Sequence, residues 1–361
     1  MTTTRSVPIV ACLAGDGIGP EVMAEAGRVI DAASALFGVR IRQVHLPFGG
    51  DAIDKHGNPF PSHVRAAVKA ADAVLLGAVG GPRWDTSTVR PEQGLLGLRK
   101  ELDAYANLRP VRHDGIDLIV VRELTGGLYF GRKELDQDSA TDVCTYTRDQ
   151  IERVARWAFK LARRRAGRVV SVDKANVLST SKLWRGVVGE MQAEHYPDVQ
   201  LSHALVDSFA MSLVTHPRDY DVILTENLFG DILSDLAAAI GGGLGLAPSA
   251  SIGSEPPGIF EPVHGSAPDI AGQGEANPVA MILSVGMMFR YGLGRRDIGR
   301  AITAAVDEVL AAGVATADQV HGGRAYATWE VGQAVCEALS HHATAGGEFG
   351  GNPYREVVAR G

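Results

Sequence analysis

Asp231 and Asp235 lie one helical turn apart in the segment Thr-Glu-Asn-Leu-Phe-Gly-Asp-Ile-Leu-Ser-Asp at 225–235. Like charges at that spacing repel by ~0.2–0.5 kcal/mol, and Asp is a poor residue for a helix interior. A divalent cation between the two carboxylates reverses the sign of that interaction. Most such pairs end on a solvated helix face, and alone this one does not decide. Arg99, Arg109 and Arg122 also sit where charge looks costly: Arg99 and Arg122 after the apolar runs 94–98 and 118–121, and Arg109 after Ala106-Asn107-Leu108. Guanidinium forks match carboxylates bidentately, so the set suits a substrate with two or three carboxylates. Taken singly, an arginine in such a place is more often a snorkelling or salt-bridged surface residue. Lys174 follows the apolar run ending at Val172, where an α/β sheet lines its ligand crevice. It is a candidate acid–base group, with a surface lysine as the plain alternative. Val206-Asp207 places a further carboxylate at a strand end.

Two segments suit ligand-binding loops. Glu261 to Pro278 is rich in turn formers yet bracketed by firm structure, and long loops of this kind are uncommon unless they bind something. His264 offers a ring to stack on a base, Asp269 offers a carboxylate for ribose hydroxyls, and Asn277-Pro278 opens the next helix. A purely structural loop explains the segment as well. Gly15-Asp16-Gly17-Ile18-Gly19-Pro20 resembles a dinucleotide fingerprint, but its third glycine comes one residue early. It reads as a tight turn into a helix with Pro20 in the first turn.

The elements that position these residues alternate. Strands are expected at 7–13, 39–46, 73–78, 117–121, 168–172 and 220–224. Helices are expected at 20–37, 61–71, 148–165, 181–195, 227–240, 278–290, 297–312 and 328–339. Alternation of this kind specifies an α/β class with a largely parallel sheet. In the helix that carries the aspartate pair, Phe229, Ile232, Leu233, Leu236 and Ile240 form the expected buried stripe. Gly241-Gly242-Gly243 marks its end, and the glycine-rich tail from His341 is expected to fray.

The chain has 361 residues, enough for two domains, and is 45% hydrophobic and 21% charged. A net charge of −7 argues against a nucleic-acid or anionic-membrane partner. The run at 7–14 contains Pro8 and reads as a first strand, not a signal peptide, and the apolar run 279–289 is too short to span a bilayer. Cys12, Cys144 and Cys336 fit no CxxC pattern and suit reduced thiols in the cytoplasm.

Taken in order, these motifs resemble the isocitrate/isopropylmalate (β-decarboxylating) dehydrogenase family. The resemblance runs from Gly15-Asp16-Gly17 through Ala276-Asn277-Pro278, with weaker support beyond. It implies that family's two-domain fold, which is not a Rossmann fold. The first, cofactor-side domain is split, roughly residues 1–103 plus 243–361. The second, 104–242, carries the dimer contact and an intersubunit arm near 131–147.

The segment Arg90 to Lys100 resembles the substrate loop of members that act on 3-isopropylmalate. Leu95 and Leu96 would then meet the isopropyl group, and no serine stands between Val89 and Lys100 for a third carboxylate. An unpaired carboxylate against leucines pays its desolvation, which disfavours isocitrate. Arg122 to Gly131 fits closely as well. By resemblance, Arg99, Arg109 and Arg122 hold the malate carboxylates, and Tyr129 protonates carbon. Asp231 and Asp235 bind Mg²⁺ or Mn²⁺ together with Asp207 from a partner subunit, which also lends Lys174. Each site of the homodimer is thus shared. Asp207 belongs to the metal, substrate and catalytic sets alike. The stretch His264, Gly265, Ser266, Ala267, Pro268, Asp269, Ile270, with Asn277, takes the adenosine end of the cofactor. Asp269-Ile270 implies NAD, because a carboxylate there suits ribose hydroxyls and repels a 2′-phosphate.

The expected reaction is oxidative decarboxylation of (2R,3S)-3-isopropylmalate to 4-methyl-2-oxopentanoate in leucine biosynthesis. The alternatives are a sister enzyme for tartrate/malate, homoisocitrate or another alkylmalate, and a non-catalytic regulatory subunit on the same fold. A phosphoryl-transfer enzyme is more distant, since no Walker-type lysine follows the first glycine turn.

Overall fold

The computed structural model describes residues 7–320 and 322–343. The chain divides into two compact units, Met1–Leu102 with Leu244–Gly361, and Asp103–Gly243.

In chain order, the first unit opens with β1 (Ile9–Gly15), α1 (Gly19–Leu36), β2 (Arg42–His45), α2 (Gly50–His56), α3 (Ser62–Lys69), β3 (Ala73–Ala78) and α4 (Pro91–Glu101). The second unit follows with β4 (Ala106–His113), β5 (Ile116–Glu123), the short strands β6 (Lys133–Leu135) and β7 (Ala140–Asp142), and α5 (Arg148–Ala162). It continues with β8 (Arg168–Asp173), α6 (Ser179–His195), β9 (Gln200–Leu205), α7 (Val206–Thr215), β10 (Val222–Thr225) and α8 (Asn227–Ile240). The chain then returns to the first unit for β11 (Pro248–Ile252), β12 (Gly258–Pro262), α9 (Val279–Met287), α10 (Arg296–Ala311) and α11 (Thr328–His342).

In the first unit the strands run β2-β1-β3-β12-β11, parallel except that β11 opposes β12. Helices α1, α9, α10 and α11 pack on one another beside that sheet. The near-continuous apolar burial of β3 suits a parallel strand covered on both faces. In the second unit the order is β4-β5-β10-β8-β9, parallel apart from the β4/β5 hairpin. Leu118, Val120, Val170, Val172 and Ile223 from its strands close a core with Phe209 and Leu213 of α7 and Leu233 and Ala237 of α8.

The stripe expected on α8 is corrected by this packing. Leu233 is buried, but Ile232 is 58% exposed and Phe229, Leu236 and Ile240 are only half-buried. The buried face is made instead by Asn227, Gly230, Leu233, Ser234, Ala237 and Ala238. The side chain of Arg122 runs beneath this helix, and a Cβ at Gly230 would lie 2.6 Å from its Cγ. Apart from Leu233, small and polar residues therefore face inward; Leu236 and Ile240 flank the core and Ile232 turns outward.

Two smaller expectations also change. Arg90 to Lys100 is largely helical, with Pro91 in the first turn of α4 and Gln93 Oε1 accepting from the Arg90 N–H at 3.3 Å. His341 and His342 do not fray: they close α11, bonded to Glu308 at 2.9 and 2.8 Å. The rest of that tail, 344–361, lies outside the described residues.

Candidate active site

The two aspartates of α8 meet Arg109 and Arg122 of the β4/β5 hairpin within the second unit. β4 and β5 pair antiparallel, with Asn107 opposite Arg122 and Arg109 opposite Val120. Arg109 donates from Nε to Asn107 Oδ1 (2.8 Å), and from Nη1 to Ser234 Oγ (2.7 Å) and Asp235 Oδ1 (3.0 Å). Its Nη2 lies 3.7 Å from Asp231 Oδ1, so one guanidinium spans both carboxylates. Arg122, 3% exposed, pairs through Nη1 with Asp231. Tyr129 follows the turn at Gly126-Gly127 and donates its hydroxyl to Asp231 Oδ2 at 2.8 Å. The repulsion between Asp231 and Asp235 is thus offset by two cations placed from another element.

These contacts set the protonation states. Burial by itself pushes the Asp231 carboxyl up, but Arg122, the Tyr129 hydroxyl and Arg109 outweigh it and hold it below the ordinary range. The Tyr129 hydroxyl is pushed up, first by burial and then by the Asp231 carboxylate beside it. Asp231 is therefore an anion and Tyr129 a proton-bearing donor at neutral pH.

Lys174 and Asp207 form a separate pair in the same unit. Lys174 follows the last residue of β8, and Asp207 stands in the first turn of α7. Nζ donates to Asp207 Oδ1 at 2.6 Å, and this bond is the main reason the Asp207 carboxyl lies below its usual value. Asp207 is 65% exposed at its side chain, and Asp235 is 58% exposed. Among the described residues of one chain, no three His, Cys, Asp or Glu side chains gather closely enough to hold a metal. Asp207 thus does not join Asp231 and Asp235 within a single chain.

In the first unit, Leu98 is buried in α4 while Leu95 is half-buried and Leu96 is 44% exposed. The leucine pair is not consumed by the core. Arg99 donates from Nη2 to Glu261 Oε1 of β12 at 3.0 Å, and its Nε is buried without a partner. The loop after β12 keeps His264 half-buried. Its Nδ1 lies 2.9 Å from the Gly265 carbonyl, which makes Nδ1 the protonated nitrogen and Nε2 an acceptor. Burial pushes this imidazole below its usual range, so it is neutral, and Nε2 is buried with no partner. Asn277 accepts from the Val279 N–H at 3.0 Å and donates to Asp318 Oδ2 at 3.0 Å. Gly265, Pro268 and Asp269 are exposed, Ala267 and Ile270 half-buried, and Ser266 buried.

The Gly15-Asp16-Gly17 turn is structural. Asp16 accepts from the N–H groups of Gly50 (2.9 Å), Asp51 (3.0 Å) and Gly80 (2.9 Å), and Gly17 has φ of +58° where a Cβ would strike Ser266 O. Sequence reasoning passed over Asn227, Glu261 and Asp318, each bonded to a predicted site residue. For Asn227 the available signal was a polar pair, Glu226-Asn227, wedged between a buried strand and an apolar helix.

The family model for isocitrate/isopropylmalate dehydrogenase matches residues 9–335. The chain is 52% identical over 354 residues to the 3-isopropylmalate dehydrogenase of Shouchella clausii (strain KSM-K16), covering 92% of this chain and 97% of that one. It is 50% identical over 337 residues to that of Oleidesulfovibrio alaskensis, covering 87% and 94%. Among solved structures it resembles isocitrate dehydrogenase from Methylococcus capsulatus, with TM-score 0.84 and 36% identity over 92% of this chain and 99% of that one. A β-decarboxylating dehydrogenase from Thermococcus kodakarensis matches with TM-score 0.81 and 41% identity, covering 92% and 96%.

Proposed function

Because the chain belongs to the isocitrate/isopropylmalate dehydrogenase family, we propose that it oxidatively decarboxylates (2R,3S)-3-isopropylmalate to 4-methyl-2-oxopentanoate with NAD⁺, in the cytoplasm, as a step of leucine biosynthesis. The observation that carries the reading is the junction of Arg109, Arg122, Tyr129 and Asp231 in one cluster. It combines two carboxylate-binding forks, a protonated donor and an anionic ligand. The relatives at 52% and 50% identity bear the name of this activity. The exposed Leu96 beside half-buried Leu95 supports an alkyl group on the substrate over a third carboxylate.

The donor sets suit the groups that the family implies. Asp231 and Asp235 present hard oxygen donors one turn apart, which suits Mg²⁺ or Mn²⁺, with Asp207 of the partner subunit completing the set. The orphaned His264 Nε2 is an acceptor fit for an adenine amino group, and Asp269 suits the ribose hydroxyls. The residues from His264 to Ile270, with Asn277, are assigned to this cofactor. When bound, the cation supplies Lewis acidity and the nicotinamide accepts hydride.

This chain's residues do the rest. Arg109 and Arg122, and Arg99 in the first unit, bind and orient the malate carboxylates. Lys174, with Asp207, takes the proton of the 2-hydroxyl. Tyr129 delivers a proton to the carbon left after CO₂ departs, and its raised pKa keeps that proton in place at neutral pH.

The active form is a homodimer that shares its sites, with the segment at 131–147 as an intersubunit arm. Exposed Met211 (68%) and Val214 (50%) on α7 and Ile232 (58%) on α8 favour a covered face on these two packed helices. No helix of the described residues is long and apolar enough to cross a membrane.

A panel of 3-isopropylmalate, malate, tartrate, homoisocitrate and isocitrate, each with NAD⁺ and with NADP⁺, tests the proposal. The highest kcat/KM is expected for 3-isopropylmalate with NAD⁺. Ready turnover of malate or tartrate without turnover of 3-isopropylmalate would sink it.

A further inference from the structure

We infer that Asn227 is a positioning residue whose side-chain amide fixes the Arg122 guanidinium and the turn carrying Tyr129 as one unit. The inference rests on reading Arg122 as a carboxylate clamp and Tyr129 as the proton donor.

Asn227 is 1% exposed. Its Oδ1 accepts from Arg122 Nε at 3.0 Å and from Arg122 Nη2 at 2.8 Å, while its Nδ2 donates to the Gly126 carbonyl at 3.1 Å. One amide therefore ties the β5 arginine to the glycine turn that leads into Tyr129. Both tasks need an acceptor and a donor on one short side chain. Asp lacks the donor at neutral pH, and Ala lacks both groups. With Nε and Nη2 engaged by Asn227, Nη1 is the end directed at Asp231. Rotating the fork breaks two charge-assisted bonds in a buried place.

Helix capping does not account for this arrangement. The cap of α8 is supplied by Glu226, whose Oε1 accepts from the Phe229 N–H at 2.6 Å. The turn is pressed from its other side by Tyr146. A Cβ at Gly126 would lie 2.7 Å from Tyr146 Cε1, and one at Gly127 would lie 2.4 Å from its hydroxyl oxygen. That hydroxyl donates to Glu226 Oε2 at 3.0 Å and accepts from the Asn227 N–H at 3.0 Å. The turn is thus held between the Tyr146 ring and the Asn227 amide, and only the amide also reaches Arg122.

A double-mutant cycle on the full-length enzyme tests the inference, with Asn227→Ala, Arg122→Ala and the double variant. The readouts are kcat, KM for 3-isopropylmalate and KM for NAD⁺, with Mg²⁺ present. Asn227→Ala is expected to raise the substrate KM roughly tenfold or more and to lower kcat, while the NAD⁺ KM moves less than about twofold. In the Arg122→Ala background the same change should alter the substrate KM by less than about twofold, because its target is gone. Asn227→Asp keeps the acceptor and loses the donor, so it should hold the substrate KM closer to wild type than Asn227→Ala does, at reduced kcat. Should Asn227→Ala fail to fold, Asn227→Ser carries the same cycle. Fully additive effects on the substrate KM would overturn the positioning role. An Arg122→Ala variant with unchanged substrate KM would instead overturn the clamp reading beneath it, an outcome that the cycle separates from additivity.

Discussion

Replacing Tyr129 with phenylalanine separates chemistry from stability at this site. The hydroxyl makes one bond, to Asp231 Oδ2 at 2.8 Å, on a residue that is 39% exposed. A buried bond to a charged partner contributes about 1.5–3 kcal/mol, and exposure of this order reduces it to about 1 kcal/mol. The ring remains, with its position 5.8 Å from the Arg122 guanidinium carbon. A melting temperature lowered by only about 2–4 °C is therefore expected. Losing the proton donor should lower kcat by roughly 10²–10⁴ while the substrate KM stays near wild type, because the arginines are untouched. Steady-state NADH formation and thermal melts on the same preparation measure the two effects. A kcat within about threefold of wild type would mean that the proton comes from another group. A collapse of the fold would mean that the hydroxyl is structural. Either result refutes the assignment.

Asp231→Asn tests the electrostatics. A carboxyl held below its unfolded value contributes stability that is present above about pH 3.9 and is lost as pH falls through the lower folded value. Urea melts should therefore show a deficit of about 1–2 kcal/mol at pH 7 that shrinks below about pH 4, and a constant deficit would contradict the pairing. Ile232→Glu, at a position 58% exposed in the single chain, should leave intrinsic fold stability within about 0.5 kcal/mol yet give a monomer by light scattering. A persisting dimer would place the interface elsewhere. Asp269→Lys should shift the NAD⁺/NADP⁺ ratio of kcat/KM toward NADP⁺ by roughly tenfold or more, with no change in melting temperature, since Asp269 is exposed. An unchanged ratio would remove Asp269 from cofactor selection.

What was legible in the sequence follows the physics of each element. The strand Ala73–Ala78 and the helix Asn227–Ile240 stand where periodicity and glycine punctuation placed them. Strands β4, β11 and β12 were passed over. Pro110, Pro248 and Pro262 interrupt or bound them, and proline inside or beside a strand weakens its signal even where, as here, the partner is the neighbouring strand of a hairpin. The α8 stripe was misread because hydrophobicity alone ranks Ile232 above Gly230, while the close approach of Arg122 demands glycine on the inward face. Asp231, Arg109 and Arg122 were visible as charges in costly places, but their junction was not: it depends on the register of the β4/β5 hairpin beneath α8. Asn227 and Asp318 carried no periodic signal, since a buried amide and its partner are found only once the chain is folded.

The central claim is oxidation coupled to decarboxylation of an alkylmalate. The most direct measurement is a stoichiometric one: purified enzyme, (2R,3S)-3-isopropylmalate, NAD⁺ and Mg²⁺, with NADH followed by absorbance, released CO₂ trapped, and the organic product identified by mass spectrometry. The account predicts equal amounts of NADH, CO₂ and 4-methyl-2-oxopentanoate. NADH formed without CO₂, or no NADH at all, would contradict it.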